Sequence, residues 1–200
     1  MVTREKIIEI IDIHPFKVLN IYPFGSRVYG NFSDLSDWDF IVIAKTSSPE
    51  IEIKFENFNI HILSEDRFKE GLRNHNIRNI ECVMLPSDKI LQERIKFDFH
   101  LDLSKLRHSV SHISSNSYVK CKKKLSQGDY HVGVKSFWHS IRIIMFGIQL
   151  SKYGKIVDWS CCNNLWGEIN SKKWSFEELD SKFRSYKNTL LSEFRILATK

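Results

Sequence analysis

Two short stretches of this chain combine residue types that do chemistry: Phe24-Gly25-Ser26-Arg27-Val28-Tyr29-Gly30, and after a polar loop Ser36-Asp37-Trp38-Asp39-Phe40-Ile41-Val42-Ile43. Two carboxylates one residue apart, at the start of an apolar run that looks like a strand buried on both faces, need a reason to be there. Side chains alternate along a strand, so Asp37 and Asp39 project to one side with their oxygens close together, while Trp38 and Phe40 face the opposite layer. Like charges held that close repel, and a divalent cation is the common way to keep both ionised. Mg²⁺, or Mn²⁺ in its place, suits carboxylate oxygens together with substrate phosphates. Just upstream, Val18-Leu19-Asn20-Ile21-Tyr22 reads as a strand ending in Gly25-Ser26, where a residue without a side chain lets backbone N–H groups and a hydroxyl approach a phosphate. Ser26 and Arg27 are placed to grip a triphosphate.

Gly25-Ser26 followed about a dozen residues later by Asp-x-Asp opening an apolar strand resembles the signature of the DNA polymerase beta-like nucleotidyltransferase superfamily. The longer form, Gly-Ser-Arg-x-Tyr-Gly followed by Ser-Asp-x-Asp, looks like a subgroup of small bacterial, phage and viral members. The resemblance implies that the Gly-Ser turn holds phosphates. It also implies that Asp37 and Asp39, with a third acid from a later strand, bind two metal ions, which promote attack of a hydroxyl on the α-phosphate of an NTP.

This sequence departs from that pattern at the third acid. The strand expected to carry it, Asn59-Ile60-His61-Ile62-Leu63, offers Asn59 and His61 on its polar face and no carboxylate. Glu52, Glu56 and Glu81 are in range as substitutes. Glu81 is the preferred third metal ligand, since it opens Cys82-Val83-Met84-Leu85, read as another apolar strand.

With 200 residues, 42% of them hydrophobic, the chain can bury a sizeable core in one domain or two small ones. No apolar stretch approaches the length of a membrane span, and the N-terminal apolar pattern carries acids, unlike a signal peptide; a cytoplasmic location follows as an expectation. Cys82, Cys121, Cys161 and Cys162 lack the paired spacing of a zinc site and read as reduced thiols. A net charge of +6 favours a polyanionic partner such as RNA.

Ile7, Ile8, Ile10 and Ile11 recur at helical spacing before Pro15, which places a helix ahead of the first strand. After Pro49, residues 51–55 and 59–63 alternate around a turn at Glu56-Asn57 and predict an antiparallel hairpin. Ser64-Glu65-Asp66 starts a helix that buries Phe68 and Leu72. The alternating segment Phe97–Leu103 reads as a last strand. Beyond it the texture is helical: a helix through Leu106–Leu125, its pattern interrupted near Ser114–Ser117, then one over Asp129–Tyr153, a shorter one around Trp159–Trp166, and a C-terminal one over Phe176–Leu197. The expected class is α+β, with a small mixed-sheet nucleotidyltransferase core over 1–103 and a helical substrate-binding bundle over 104–200.

On the second long helix Lys135, His139 and Arg142 fall at i, i+4 and i+7 and form one basic stripe, a phosphate clamp if it faces the nucleotide and a solvated helix face if it does not. Lys-Ser-x-x-His-x-x-Arg in a helical domain after such a core resembles the HEPN-type substrate-binding helices found beside nucleotidyltransferases, which implies nucleotide contacts for all three. Lys120, Lys122, Lys123 and Lys124 make a denser basic cluster without interleaved aromatics. It is either a solvated helix end or the footprint of an RNA backbone. The expected function is metal-dependent transfer of an NMP from an NTP to a hydroxyl of RNA, protein or a small molecule. The alternatives are a catalytically weak nucleotide- or RNA-binding relative, or a toxin–antitoxin or defence component.

Overall fold

The computed structural model of the chain describes residues 2–199 and divides into two compact units, Met1–His100 and Leu101–Lys200. The architecture is α+β. In the first unit, helix α1 (Arg4–Ile11) precedes strand β1 (Val18–Phe24), a single helical turn α2 (Ser26–Tyr29), and strands β2 (Trp38–Ala44), β3 (Glu50–Phe55) and β4 (Phe58–Ser64). Helices α3 (Glu65–Arg73) and α4 (Ile77–Met84) and a two-residue strand β5 (Gln92–Glu93) complete it. The sheet order is β3-β4-β2-β1-β5, with β2 and β4 parallel and every other pairing antiparallel.

β2 lies at the centre, which explains its unbroken apolar run: Phe40 to Ala44 are all buried because both faces of the strand are covered. Ile7 and Ile11 of α1 pack with Phe40, Val42, Ala44, Ile60 and Ile62 on one face, and the partly buried Trp38 joins them. On the other face Tyr22 stacks on Phe68 of α3 with ring centroids 6.2 Å apart. The hairpin turn falls where the alternation breaks, with Glu56 in the left-handed region at φ 50°. Ser64 caps α3 by accepting from the Arg67 amide at 3.2 Å.

Two expected strands take other forms. The run from Glu81 to Met84 belongs to α4, with Leu85 as its extended C-cap, and the helix is started by Asn76, whose side chain accepts from the Arg78 amide. Ile77, Ile80 and Glu81 recur at i, i+3 and i+4 on its buried side, and a four-residue apolar run is too short to separate helix from strand. The segment from Phe97 to His100 alternates inward and outward as anticipated, yet among the described residues it pairs with no strand. Its alternation comes from Phe97 packing on Phe68 at 4.7 Å and Phe99 on His75 at 5.1 Å between ring centroids. The ladder contact falls earlier, at Gln92 and Glu93 against Ile21 and Asn20. Fully buried Asn20 ties the following chain to β1: its Oδ1 accepts from the Arg94 and Ile95 amides, and its Nδ2 donates to Ile95 O and Tyr22 Oη.

The second unit is helical, with α5 (Leu103–Ser126), α6 (Tyr130–Tyr153), α7 (Asn163–Ile169) and α8 (Phe176–Leu197). α5 runs unbroken through Ser114–Ser117. There the small residues allow close packing rather than marking an end, and Ser114 Oγ donates to Ser140 O of α6 at 2.8 Å. Gly147 serves the same purpose, because a Cβ there would come within 2.8 Å of Phe194 and 3.1 Å of Val110. α6 is consequently buried on nearly all sides. A capping box between Ser175 and Glu178 starts α8. Among the described residues no helix is long and apolar enough to cross a membrane.

Candidate active site

Three neighbouring strand positions meet at one end of the sheet. β1 ends with Phe24, which pairs with Asp39 across the antiparallel ladder, and Asp39 in turn pairs with Asn59 across the parallel one. Gly25 follows Phe24 with φ 77° and ψ −157°, a conformation open to glycine and strained for any other residue. A Cβ on Gly25 would overlap the Asp39 carboxylate, lying 2.9 Å from its Cγ. Asn59 Nδ2 donates to Asp39 Oδ1 at 3.1 Å. The carboxylate is therefore held between a bare backbone on one side and an amide on the other. Asn59 Oδ1 is buried and has no hydrogen-bond partner among the described residues.

Asp37 precedes β2 by one residue and is exposed. Its position depends on Arg27. The Arg27 guanidinium lies 3.9 Å over the Trp38 ring and 5.1 Å from Phe32, while Nη2 donates to Ser36 O at 2.7 Å and Nε to Asp37 O at 3.3 Å. In this arrangement Arg27 shapes the loop that presents Asp37, a use of its planar donors that an ammonium would not reproduce. Ser26 opens α2 and is 8% exposed. Gly30, at φ 81°, closes that turn in the left-handed region.

Glu81 sits in the interior, 2% exposed, and its Oε2 accepts from the Tyr29 hydroxyl at 2.5 Å. Tyr29 is itself buried and meets the Phe24 ring edge-on at 6.1 Å. The pair anchors α2 to α4 behind the glycine turn. Among the described residues no three His, Cys, Asp or Glu side chains gather as a metal-holding group. The residues that sequence reasoning passed over as partners are thus Asn59 for Asp39 and Tyr29 for Glu81. A register count across β2 and β4 was the signal available for the first; nothing local announced the second.

In the helical unit Lys135 is exposed, His139 is half-buried, and Arg142 is 1% exposed. The three do not form a solvated stripe. The Arg142 guanidinium packs over Phe146 at 4.7 Å and Trp138 at 5.6 Å, and its Nη2 donates to His139 Nδ1 at 2.9 Å. Burial, then the Arg142 charge, hold the His139 pKa well below its ordinary 6.5, so the ring is neutral at pH 7 and able to accept that bond. The thiols of Cys121, Cys161 and Cys162 are pushed up to about 12 by burial and are inert at neutral pH.

The family model described as nucleotidyltransferase domain matches residues 4–110, a span that includes the whole sheet, the Gly25 turn and both aspartates. No curated protein matches the chain. Among solved structures, a nucleotidyltransferase-like protein from Exiguobacterium sibiricum is similar over 97% of this chain and 72% of its own, with 15% identity and a TM-score of 0.36.

Proposed function

This chain belongs to the nucleotidyltransferase domain family, and from that premise we propose that it moves an NMP from an NTP to a hydroxyl of RNA, protein or a small molecule, with Mg²⁺ or Mn²⁺ as cofactor. The observation that carries the reading is the placement of Asp39 between Gly25 and Asn59, with Asp37 two residues away. The donor set fits a hard divalent cation: two carboxylates, and beside them the buried, unpartnered oxygen of Asn59. Asp37 and Asp39 would hold the ion, which when bound supplies positive charge to the α-phosphate and to the attacking hydroxyl.

The chain's own residues do the rest. Gly25 leaves the backbone bare so that a triphosphate can lie close to it, and Ser26 offers a hydroxyl at the same turn. Arg27 fixes the loop, and with it the distance of Asp37 from Asp39. Asn59 orients the Asp39 carboxylate without adding charge. Glu81 supports α2 through Tyr29 rather than reaching a metal. With the nucleotide oriented, the acceptor oxygen bonds to the α-phosphorus as the bond to pyrophosphate breaks. The cytoplasm, where all four cysteines stay reduced, is the compartment we assign.

Asn59 also favours a second reading, a weak relative that binds nucleotide and turns it over poorly, because an amide cannot replace the charge of a third acid. Incubation with each α-labelled NTP, Mg²⁺ or Mn²⁺, and total RNA or lysate separates the two. Label transferred to an acceptor supports the enzyme, and nucleotide binding with no transfer supports the weak relative.

A further inference from the structure

The helical unit carries a charge that the sheet unit does not. Seventeen Lys and Arg against eight Asp and Glu give residues 101–200 a formal net charge of +9, whereas thirteen against sixteen leave residues 1–100 at −3. A bundle has no need of such an excess, which repels itself, and a polyanionic partner is what it suits.

The Lys120–Lys124 cluster has no aromatic residue between its lysines, but the fold brings aromatics beside it. The C-terminal part of α5 lies beside the segment leading into α8, so that Lys122 Nζ is 5.5 Å from the centre of the Phe176 ring. Across the same face Lys173 Nζ is 5.4 Å from the centre of the Tyr130 ring, which is 40% exposed. Two adjoining depressions, about 290 and 550 Å³, open here with Lys122, Phe176 and Glu177 as their common wall. The first extends to Tyr130 and Lys173, the second to Asp180 and Arg184. Asp180 does not oppose an incoming anion with a bare charge, since its carboxylate accepts from Arg184 and from the Tyr118 hydroxyl. Trp174 forms the floor of the first depression, buried and donating through Nε1 to Ile169 O at 2.8 Å.

We propose that this face binds single-stranded nucleic acid, with bases stacked on Tyr130 and Phe176 and phosphates on Lys122, Lys173 and Arg184. Lysines resting over ring faces are poised to swing onto phosphates and leave those faces to bases. Aromatic surfaces within a basic depression select unpaired bases, because in a duplex the base faces are already stacked. Phosphate contacts on long flexible side chains carry no sequence preference. This site is independent of nucleotidyl transfer, and it is tested without NTP or metal.

Fluorescence anisotropy of the full chain with short labelled RNA and DNA single strands, and with a duplex and heparin as competitors, reads it directly. Single strands bind with an affinity that falls steeply with salt. Lys122→Glu combined with Lys173→Glu weakens binding by about tenfold or more, and Tyr130→Ala, which leaves every charge in place, by about fivefold or more. Tyr130→Phe keeps the ring and binds as the unaltered chain does. Stronger binding of RNA than DNA makes the 2′-hydroxyl part of the ligand; equal binding assigns the site to both. Unchanged affinity in folded Tyr130→Ala, or competition by duplex and heparin as effective as by single strands, overturns the proposal and leaves a surface that reads charge alone.

Discussion

Asn59 Nδ2 donates a 3.1 Å hydrogen bond to Asp39 Oδ1 from the neighbouring parallel strand, in a register that sets the two residues side by side. The resemblance drawn from the sequence implies a carboxylate on that neighbouring strand. The amide holds the same place as a donor, so it steadies one acid instead of adding another. Charge density there is correspondingly lower, so on the proposed reading the site would hold one cation better than two.

Asn59→Asp should therefore change metal binding before anything else. In EDTA the variant loses the hydrogen bond and sets a second carboxylate against Asp39, a cost of about 1–3 kcal/mol that lowers Tm. Mg²⁺ reverses the loss, because an ion that binds only the folded state stabilises it by mass action. Thermal melts over a Mg²⁺ titration and Mn²⁺ stoichiometry by electron paramagnetic resonance check this. A variant whose Tm and stoichiometry match the parent at every concentration shows that position 59 does not face the metal.

Gly25→Ala meets two obstacles, a left-handed backbone and the Asp39 carboxylate. The backbone alone costs about 1–3 kcal/mol, and NTP affinity falls with it. Combining the change with Asp39→Ala removes the overlap but not the backbone strain, so the double variant should lose less stability than the two single losses together. Strict additivity in urea melts would mean that Gly25 and Asp39 do not touch.

Tyr29→Phe leaves the buried Glu81 carboxylate without that donor. A loss of about 1.5–3 kcal/mol in chemical denaturation is expected, with transfer activity reduced far less than by Asp39→Ala. If Tyr29→Phe or Glu81→Gln instead abolished transfer while stability held, Glu81 would belong to the metal site after all.

The legible parts of the fold were those written as long periodic runs. The β2 run announced a central strand because burial on both faces requires continuous apolar residues, and the C-terminal helix over Phe176–Leu197 was readable because a helical period sustained over 22 residues leaves little ambiguity. Short runs failed. Cys82–Leu85 looks the same as a strand or as the last turn of a helix, and Phe97 and Phe99 alternate because they pack on Phe68 and His75 without any ladder partner. At the site, the glycine turn and Asp39 could be found from residue types, since each sits at the junction of a turn and a strand. Arg27 reads in sequence as a grip for the triphosphate and in the fold donates to the Ser36 and Asp37 carbonyls, because whether a guanidinium serves a phosphate or a loop carbonyl depends on chain geometry that spacing does not encode. Arg142 was misplaced for a related reason: helical periodicity assigns an arginine to the polar side, and here two aromatic rings and a neutral histidine receive it inside the bundle.

His139 gives stability a pH dependence with a definite sign. Its pKa lies well below 6.5 when folded, so below that pH the unfolded chain binds a proton that the folded chain refuses. Stability is full above 6.5 and declines as pH falls toward the folded pKa, by at most about 1.4 kcal/mol per pH unit from this residue. Urea melts of the unaltered chain and of His139→Gln between neutral and mildly acidic pH isolate the contribution. The variant should show the shallower decline; equal slopes would mean that His139 takes up its proton in the folded state.

Transfer of label from α-³²P-NTP to an acceptor, compared between the unaltered chain and folded Asp39→Ala under the same Mg²⁺ or Mn²⁺, tests the central claim most directly. Metal-dependent labelling by the unaltered chain that falls to background in Asp39→Ala, with circular dichroism unchanged, is the predicted result. Labelling that persists in Asp39→Ala would contradict it and move the chemistry away from the Gly25–Asp39–Asn59 corner of the sheet.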